Sequence, residues 1–147
     1  MYQKLIMIFV VVLLVACKPK LHEKTVDTYP NGVPTKVEYY KWVGDREVLV
    51  KHIRYYSNGE KQEEGEYEDG EKDGQWTYWF ENGNKWSEGY FKAGERDGMA
   101  TVWYEGGAKN YEGEYDMGKP DGEWIFYDGE GKEMKRVQYQ QGKKIKE

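Results

Sequence analysis

Among 147 residues the chain carries one thiol, Cys17, two imidazoles, His22 and His52, and two serine hydroxyls, Ser57 and Ser87. That inventory is thin for catalysis. A hydrolytic triad would have to be assembled around a serine that lacks any nucleophile motif. Glutamate pairs such as Glu63-Glu64 recur along the chain, and nothing marks one as desolvated for acid–base work. Asp73, Asp97 and Asp121 recur every 24 residues and invite a calcium reading. Calcium, however, needs six to eight oxygens converging on one point, and these aspartates fall on successive links, where a turn role suits them better. The Gly-x-x-Asp-Gly links also lack the lysine and following Ser/Thr of a phosphate-binding loop. No enzymatic activity, metal or cofactor is expected.

The thiol has a different context. Cys17 follows Lys4 and twelve uninterrupted apolar residues, Leu5 to Ala16. Twelve helical residues at about 1.5 Å each cover roughly 18 Å of a hydrocarbon core about 30 Å thick, too little to span it. The run fits a signal h-region, and Leu14-Val15-Ala16-Cys17 resembles the bacterial lipobox. The resemblance implies cleavage after residue 16, lipidation of Cys17 and membrane attachment without a span, since two or three acyl chains anchor stably. A Cys17 committed to lipid leaves no disulfide, thiolate metal site or cysteine nucleophile. The expected location is the periplasmic or cell-surface side of a bacterial membrane. Lys18, where many inner-membrane lipoproteins carry aspartate, favours the outer membrane in a Gram-negative host.

Removing residues 1–16 takes away Lys4 and no acid, which moves the formal net charge from −5 to −6. An acidic body is repelled by phosphate backbones and anionic headgroups, which argues against nucleic acid and against charge-driven lipid binding.

The elements that must position the remaining residues are written in a repeat. Asn58-Gly59, Asn82-Gly83, Gly106-Gly107 and Glu130-Gly131 recur at 24 residues, as do Gly70, Gly94, Gly118 and Gly142. Gly65, Gly89 and Gly113 form a further column that ends in Val137, and Tyr67, Phe91, Tyr115 and Tyr139 keep a ring throughout. A fixed period of this length signals a repeat architecture. Two turn signals per unit, separated by alternating runs, are the pattern of antiparallel hairpins, and Asn-Gly suits a two-residue type I′ turn. The expected fold is all-β, an elongated antiparallel meander of nine or ten strands. Its expected layout is a lipidated cysteine and tether over residues 17–28 and a repeat domain over 29–147. Within that domain the copy at 29–54 is degenerate and those at 55–142 are clear.

Tyr111-Glu112-Gly113-Glu114-Tyr115, followed by Gly118 and Gly122, resembles a MORN repeat, and the body is similar to the MORN-2 variant of YwqK-type antitoxin proteins. The eukaryotic pattern has a second glycine where Trp76, Ala100 and Trp124 stand. The resemblance implies a hairpin sheet and a non-catalytic binding role, with a toxin-neutralising or immunity function as its specific form.

Pairing across the expected turns sorts the side chains into two faces. With Asn82-Gly83 as the turn, Trp76 faces Gly89 and Trp79 faces Trp86; with Phe91 opposite Gly98, Gly89 faces Ala100 and Trp86 faces Trp103. The first face then carries Gly65, Tyr67, Trp76, Tyr78, Phe80, Gly89, Phe91, Val102, Tyr104, Gly113, Tyr115, Trp124 and Phe126, with Trp76 lying flat between Gly65 and Gly89 as the packing core. His52 stands in the column of Trp76, Ala100 and Trp124 and reads as a packing residue. The second face carries a row of Tyr55, Trp79, Trp86, Trp103 and Tyr127 beside Glu64, Glu66, Glu88, Glu112 and Glu114. Two readings of that row stand: cross-strand stacking of the rings on one another, or a site for a basic peptide centred on Trp79, Trp86, Trp103, Tyr127, Glu88 and Glu112. The expected function is lipid-anchored binding of a protein or peptide. The alternative is a cell-envelope module for glycan- or choline-type ligands, suggested by tandem glycine-aromatic hairpins.

Overall fold

The computed structural model describes residues 20–147; the segment expected to be a signal peptide and Cys17 lie outside the described residues. Eleven strands follow one another: β1 His22–Thr28, β2 Pro34–Val43, β3 Arg46–Tyr55, β4 Lys61–Glu68, β5 Glu71–Trp79, β6 Lys85–Lys92, β7 Glu95–Trp103, β8 Lys109–Asp116, β9 Lys119–Tyr127, β10 Glu133–Gln140 and β11 Lys143–Lys146. They form one sheet whose spatial order is the chain order, β1 to β11. The fold is therefore an all-β antiparallel meander of repeated hairpins. Most of the segment expected to be a tether is strand β1, which pairs with β2 from His22 opposite Tyr40 to Thr28 opposite Pro34. Pairing supplies what its polar, exposed sequence conceals, because a backbone ladder can hold an edge strand that buries little.

The Asn-Gly links do not form the two-residue type I′ turns expected of them; the other links do. At Asn82-Gly83 the N–H of Gly83 donates to the carbonyl of Phe80 and the N–H of Phe80 to that of Asn84. With Gly83 at φ +83°, this is a three-residue loop, a type I turn closed by a left-handed glycine. The two-residue type I′ turns lie at Asp69-Gly70, Ala93-Gly94, Met117-Gly118 and Gln141-Gly142, where both residues have positive φ. Glu68 pairs with Glu71 across the first of them.

The longer loop shifts the register by one, and a β-bulge shifts it back. Trp79 pairs with Lys85 while Tyr78 pairs with Ser87, leaving Trp86 as the extra residue. Gln62, Asn110 and Met134 are the extra residues of the other copies. Beyond the bulge Trp76 faces Gly89 and Gly89 faces Ala100, as the sequence implied. Phe91, however, lies opposite Arg96 rather than Gly98, because a second irregularity follows each type I′ turn.

The core is one side chain deep. Trp76, fully buried, meets Tyr67 and Phe91 at ring-centroid distances of 5.3 and 6.0 Å. Trp124 meets Tyr115 and Tyr139 at 5.0 and 5.8 Å. Each indole lies over the glycine of the preceding strand: a Cβ built on Gly65 would fall 2.1 Å from Trp76, and one on Gly113 2.3 Å from Trp124. Each indole N–H then reaches a backbone carbonyl, Trp76 to Glu66 at 3.1 Å and Trp124 to Glu114 at 3.2 Å. Gly89 does not share this duty. A Cβ there would meet Arg96 and Ala100 at 3.0 and 3.3 Å, not Trp76.

Units are stitched to one another outside the ladders as well. The hydroxyls of Tyr29, Tyr56 and Tyr104 donate to the carbonyls of Tyr55, Trp79 and Tyr127 in the next copy. Asp121 accepts the N–H of Gln141, the first residue of the next type I′ turn, at 2.9 Å, and Asp97 accepts that of Met117 at 3.4 Å. The aspartate column thus ties one hairpin to the following turn.

Candidate functional site

The second face keeps Tyr55, Trp79, Trp103 and Tyr127 as a true column, one ring per unit on every second strand. Neighbouring strands lie about 4.8 Å apart, so the rings stand roughly 10 Å apart, and none is in ring–ring contact with another. The stacking reading is therefore not realised. Lysines cover the rings instead: Lys61 sits 5.6 Å above Trp79 and Lys85 5.7 Å above Trp103. The same lysines pair with the acids, Lys61 with Glu64 at 2.6 Å, Lys85 with Glu88 at 2.5 Å and Lys109 with Glu112 at 2.6 Å.

Burial pushes the Glu64 carboxyl up, yet hydrogen bonds from Lys51 and Lys61 hold it below the usual carboxylate range. Glu112, bonded by Lys109 and Tyr127, is likewise lowered. The phenol of Tyr127, which donates to Glu112 at 2.6 Å, is pushed up to about 12. Glu66 and Glu114 form no ion pair among the described residues. Around Trp79 lies a shallow groove of about 550 Å³, lined by Lys51, Glu64, Glu66, Gln75 and Thr77.

Trp86 does not belong to this row. As a bulge residue it turns to the first face, where its ring meets Tyr78 at 6.0 Å and Phe80 at 6.2 Å. The expected order Trp79–Trp86–Trp103 fails because the three-residue loop displaces Trp86 from the partner assumed for it. The signal lay in the repeat: Trp79 has an aromatic equivalent in every clear copy, whereas Trp86 aligns with Gln62, Asn110 and Met134.

On the first face Trp86 stands 49 % exposed, and several departures from the repeat gather around it. Ala100 replaces the tryptophan of the neighbouring units. Arg96, the equivalent of Lys72, extends over Gly89 into the slot a ring occupies elsewhere, its guanidinium between Phe91 at 5.2 Å and Tyr115 at 5.4 Å. Ser87 is buried where Glu63 and Tyr111 stand in other copies. Beside them opens a cleft of about 170 Å³ lined by Tyr78, Trp86, Ser87, Arg96, Val102 and Tyr111. On the other side of Trp86 lies a depression of about 320 Å³ that includes Arg54, Gln62 and Glu63. Sequence reasoning missed Arg96, Tyr111 and Ser87 as site residues. The signal available was the variability of their columns: Glu63, Ser87, Tyr111 and Lys135 share no residue type, and Arg96 aligns with Lys72, Pro120 and Lys144.

His52 occupies the packing column, as expected. It is 6 % exposed, with its ring edge-on to Trp76 at 5.1 Å. Nε2 lies 2.8 Å from a Glu63 carboxylate oxygen and Nδ1 3.0 Å from the Tyr67 hydroxyl. A carboxylate only accepts, so in the neutral ring Nε2 carries the hydrogen and Nδ1 accepts from Tyr67. Both nitrogens are engaged inside the layer, an arrangement that holds strands together and leaves no face for a substrate. Among the described residues no group of three or more histidine, cysteine, aspartate or glutamate side chains converges as a metal cage would require.

A single-layer sheet of tandem hairpins, with rings recurring at 24 residues on both faces, resembles a repeat scaffold of the MORN type. Residues 50–69 and 72–93 match the family model of the MORN repeat variant. These stretches run from the end of β3 through β6, and the same 24-residue geometry continues beyond them to residue 142. No curated protein matches the chain.

Proposed function

We propose that the chain is a lipid-anchored, non-catalytic binding protein that holds a partner polypeptide on its repeat sheet. One observation carries this reading: Trp86, Ser87 and Arg96, at positions the 24-residue repeat does not hold constant, line one cleft on the first face, and Trp86 stands half exposed there. In a repeat scaffold the recurring columns serve folding, so variable positions that gather at one cleft are candidates for recognition. An exposed tryptophan beside tyrosines and an arginine has the composition of an interaction hot spot. The lipobox-like end at Cys17 supports anchoring on the outer face of a bacterial membrane, periplasmic or at the cell surface. Toxin neutralisation or immunity is the form of binding that the MORN-2 resemblance supports.

Two experiments test the reading. Cys17→Ser should abolish incorporation of a fatty-acid analogue and leave the precursor uncut; equal labelling of wild type and variant would remove the anchor. Trp86→Ala should lose partners captured from the cell envelope without a change in melting temperature, and identical capture by both proteins would move the site elsewhere.

A second reading has its own support. Isolated rings at a regular spacing, with Glu66, Gln75 and Thr77 in the groove beside Trp79, also suit a cell-envelope glycan. Retention on a glycan resin that is lost in Trp79→Ala but kept in Trp86→Ala would favour it.

A further inference from the structure

The charge around the Trp86 cleft has the same sign as the basic partner expected from the sequence, and so would repel it. On the second face Glu64, Glu88 and Glu112 are neutralised by lysines of their own face, so a basic peptide would have to displace them. On the first face the unmatched charges are cationic. Among the described residues Arg96 forms no ion pair, although Arg54 and Arg136 do. Lys72 also lacks a carboxylate partner and donates to the hydroxyl of Tyr78, a residue of the cleft wall, at 2.9 Å. Glu63, in the depression on the other side of Trp86, is already held by His52 at 2.8 Å and Arg54 at 3.1 Å.

An arginine kept in place by two rings, with its donors free of carboxylates and an apolar cleft alongside, is a receptor for a carboxylate attached to an apolar body. We propose that this cleft takes an acidic peptide segment of the partner. One aspartate or glutamate carboxylate settles on the Arg96 guanidinium, while an adjacent aromatic or aliphatic side chain packs against Trp86, Tyr78 and Val102. The inference rests on the binding role proposed above and gives its partner a charge. The acidic net charge of the whole chain does not oppose it, because screening at about 8 Å in physiological salt leaves the local cations to decide.

The six tryptophans, distributed over both faces, make the test direct. The full-length protein in detergent micelles, labelled with 5-fluorotryptophan, is titrated with acetyl-Gly-Asp-Phe-Asp-Gly-amide and with its Asn-Phe-Asn and Lys-Phe-Lys counterparts. The Trp86 fluorine signal should move with the aspartate peptide, weakly with the asparagine peptide and not with the lysine peptide. Arg96→Gln should weaken binding about tenfold or more, the scale of one charge-assisted hydrogen bond. Arg96→Lys should fall between, and added salt should weaken the wild type more than Arg96→Gln. The unchanged signals of Trp76 and Trp124 report that each variant remains folded.

If the lysine peptide moves Trp86 as strongly as the aspartate peptide, the cleft still binds peptides and the charge assignment is overturned. Movement of Trp79 and Trp103 instead overturns the proposal in favour of the second face. If no peptide moves any tryptophan, the acidic-peptide inference fails, while capture by wild type but not Trp86→Ala still decides the binding role independently.

Discussion

Replacing Gly65 with alanine puts a methyl carbon 2.1 Å from Cδ2 and 2.2 Å from Cε2 of Trp76. Carbon atoms settle about 3.5–4.0 Å apart, so the indole must retreat by roughly 1.5 Å. It has no room to do so, being fully buried with His52 and Tyr67 at 5.1 and 5.3 Å and the Lys72 ammonium 3.8 Å above its ring. Overpacking of this kind costs about 1–3 kcal/mol, and loss of the indole bond to the Glu66 carbonyl adds about 0.5–1.5 kcal/mol. Expulsion of the ring would cost about 3–5 kcal/mol, so the substitution should destabilise by about 2–5 kcal/mol. Gly89→Ala, in the same column one unit later, meets Arg96 Nη1 at 3.0 Å, the Ala100 methyl at 3.3 Å and the Ala100 Cα at an ordinary 3.6 Å. The arginine tip can swing away, and the stiffer unfolded chain returns about 0.4–1 kcal/mol, leaving a net change of less than about 1 kcal/mol. Equilibrium urea unfolding of the two variants measures the contrast, and Gly65→Ala in a Trp76→Ala background should cost far less than it does alone. If the two alanine variants lie within about 0.5 kcal/mol of each other, the overlying-ring account of the core is wrong.

The type I′ turn at Ala93-Gly94 holds a non-glycine residue at φ +48°, so Ala93→Asn should raise stability by about 0.5–1 kcal/mol and the melting temperature by a few degrees. The hydrogen bond from His52 holds the Glu63 carboxyl below its ordinary 4.5. Its stabilisation is therefore complete above that pH and disappears as pH falls through the depressed folded value. The stability gap between wild type and Glu63→Gln, measured by denaturant unfolding, should narrow below pH 4.5, and a gap that stays constant into acid would count against the assignment. Glu112→Gln should bring the Tyr127 phenol down from about 12 toward 10, followed by carbon-13 tyrosine NMR across the alkaline range. An unmoved Tyr127 would mean that its bond to Glu112 does not persist in solution.

The sheet was legible in the sequence because its determinants are local and repeated. Turn glycines, the glycine of each packing pair and alternating rings recur in columns, and each follows from backbone geometry or close approach. The register just beyond the Asn-Gly loops was not legible from the turn signal alone. Asn-Gly serves a type I′ turn and a type I turn with a left-handed glycine equally well, and the two differ by one residue. That residue decided the face of Trp86 while the paired bulge left Trp76 opposite Gly89 unaffected. Strand β1 was overlooked because its residues, nearly all exposed, carry no hydrophobic alternation. Yet the turn at Asn31-Gly32, closed by Tyr29 and Val33, needs a strand on each side. The pairing of acids on the second face was out of reach of a face-sorting argument, which ranks residues by side and not by neighbour.

The copy that carries the cleft is also the one whose scaffold bonds are missing. Phe80 stands in the tyrosine column whose hydroxyls tie Tyr29, Tyr56 and Tyr104 to the following unit, so one tie is absent beside Trp86. Ala100 lacks the indole and the carbonyl hydrogen bond that Trp76 and Trp124 supply on either side. In a nearest-neighbour repeat, stability is a sum of unit and interface contributions, so losses concentrated at one junction make that junction the softest part of the sheet. Neutral drift would scatter such losses among the units. Their coincidence with an exposed tryptophan and an arginine free of carboxylates is what a binding site placed on a repeat scaffold requires, since recognition displaces packing only where the ligand must enter. Phe80→Tyr separates the two explanations: a restored hydroxyl bond to the Trp103 carbonyl should stabilise the fold by about 1 kcal/mol. If peptide binding at Trp86 weakens at the same time, the missing tie belongs to the site, whereas unchanged binding assigns it to drift.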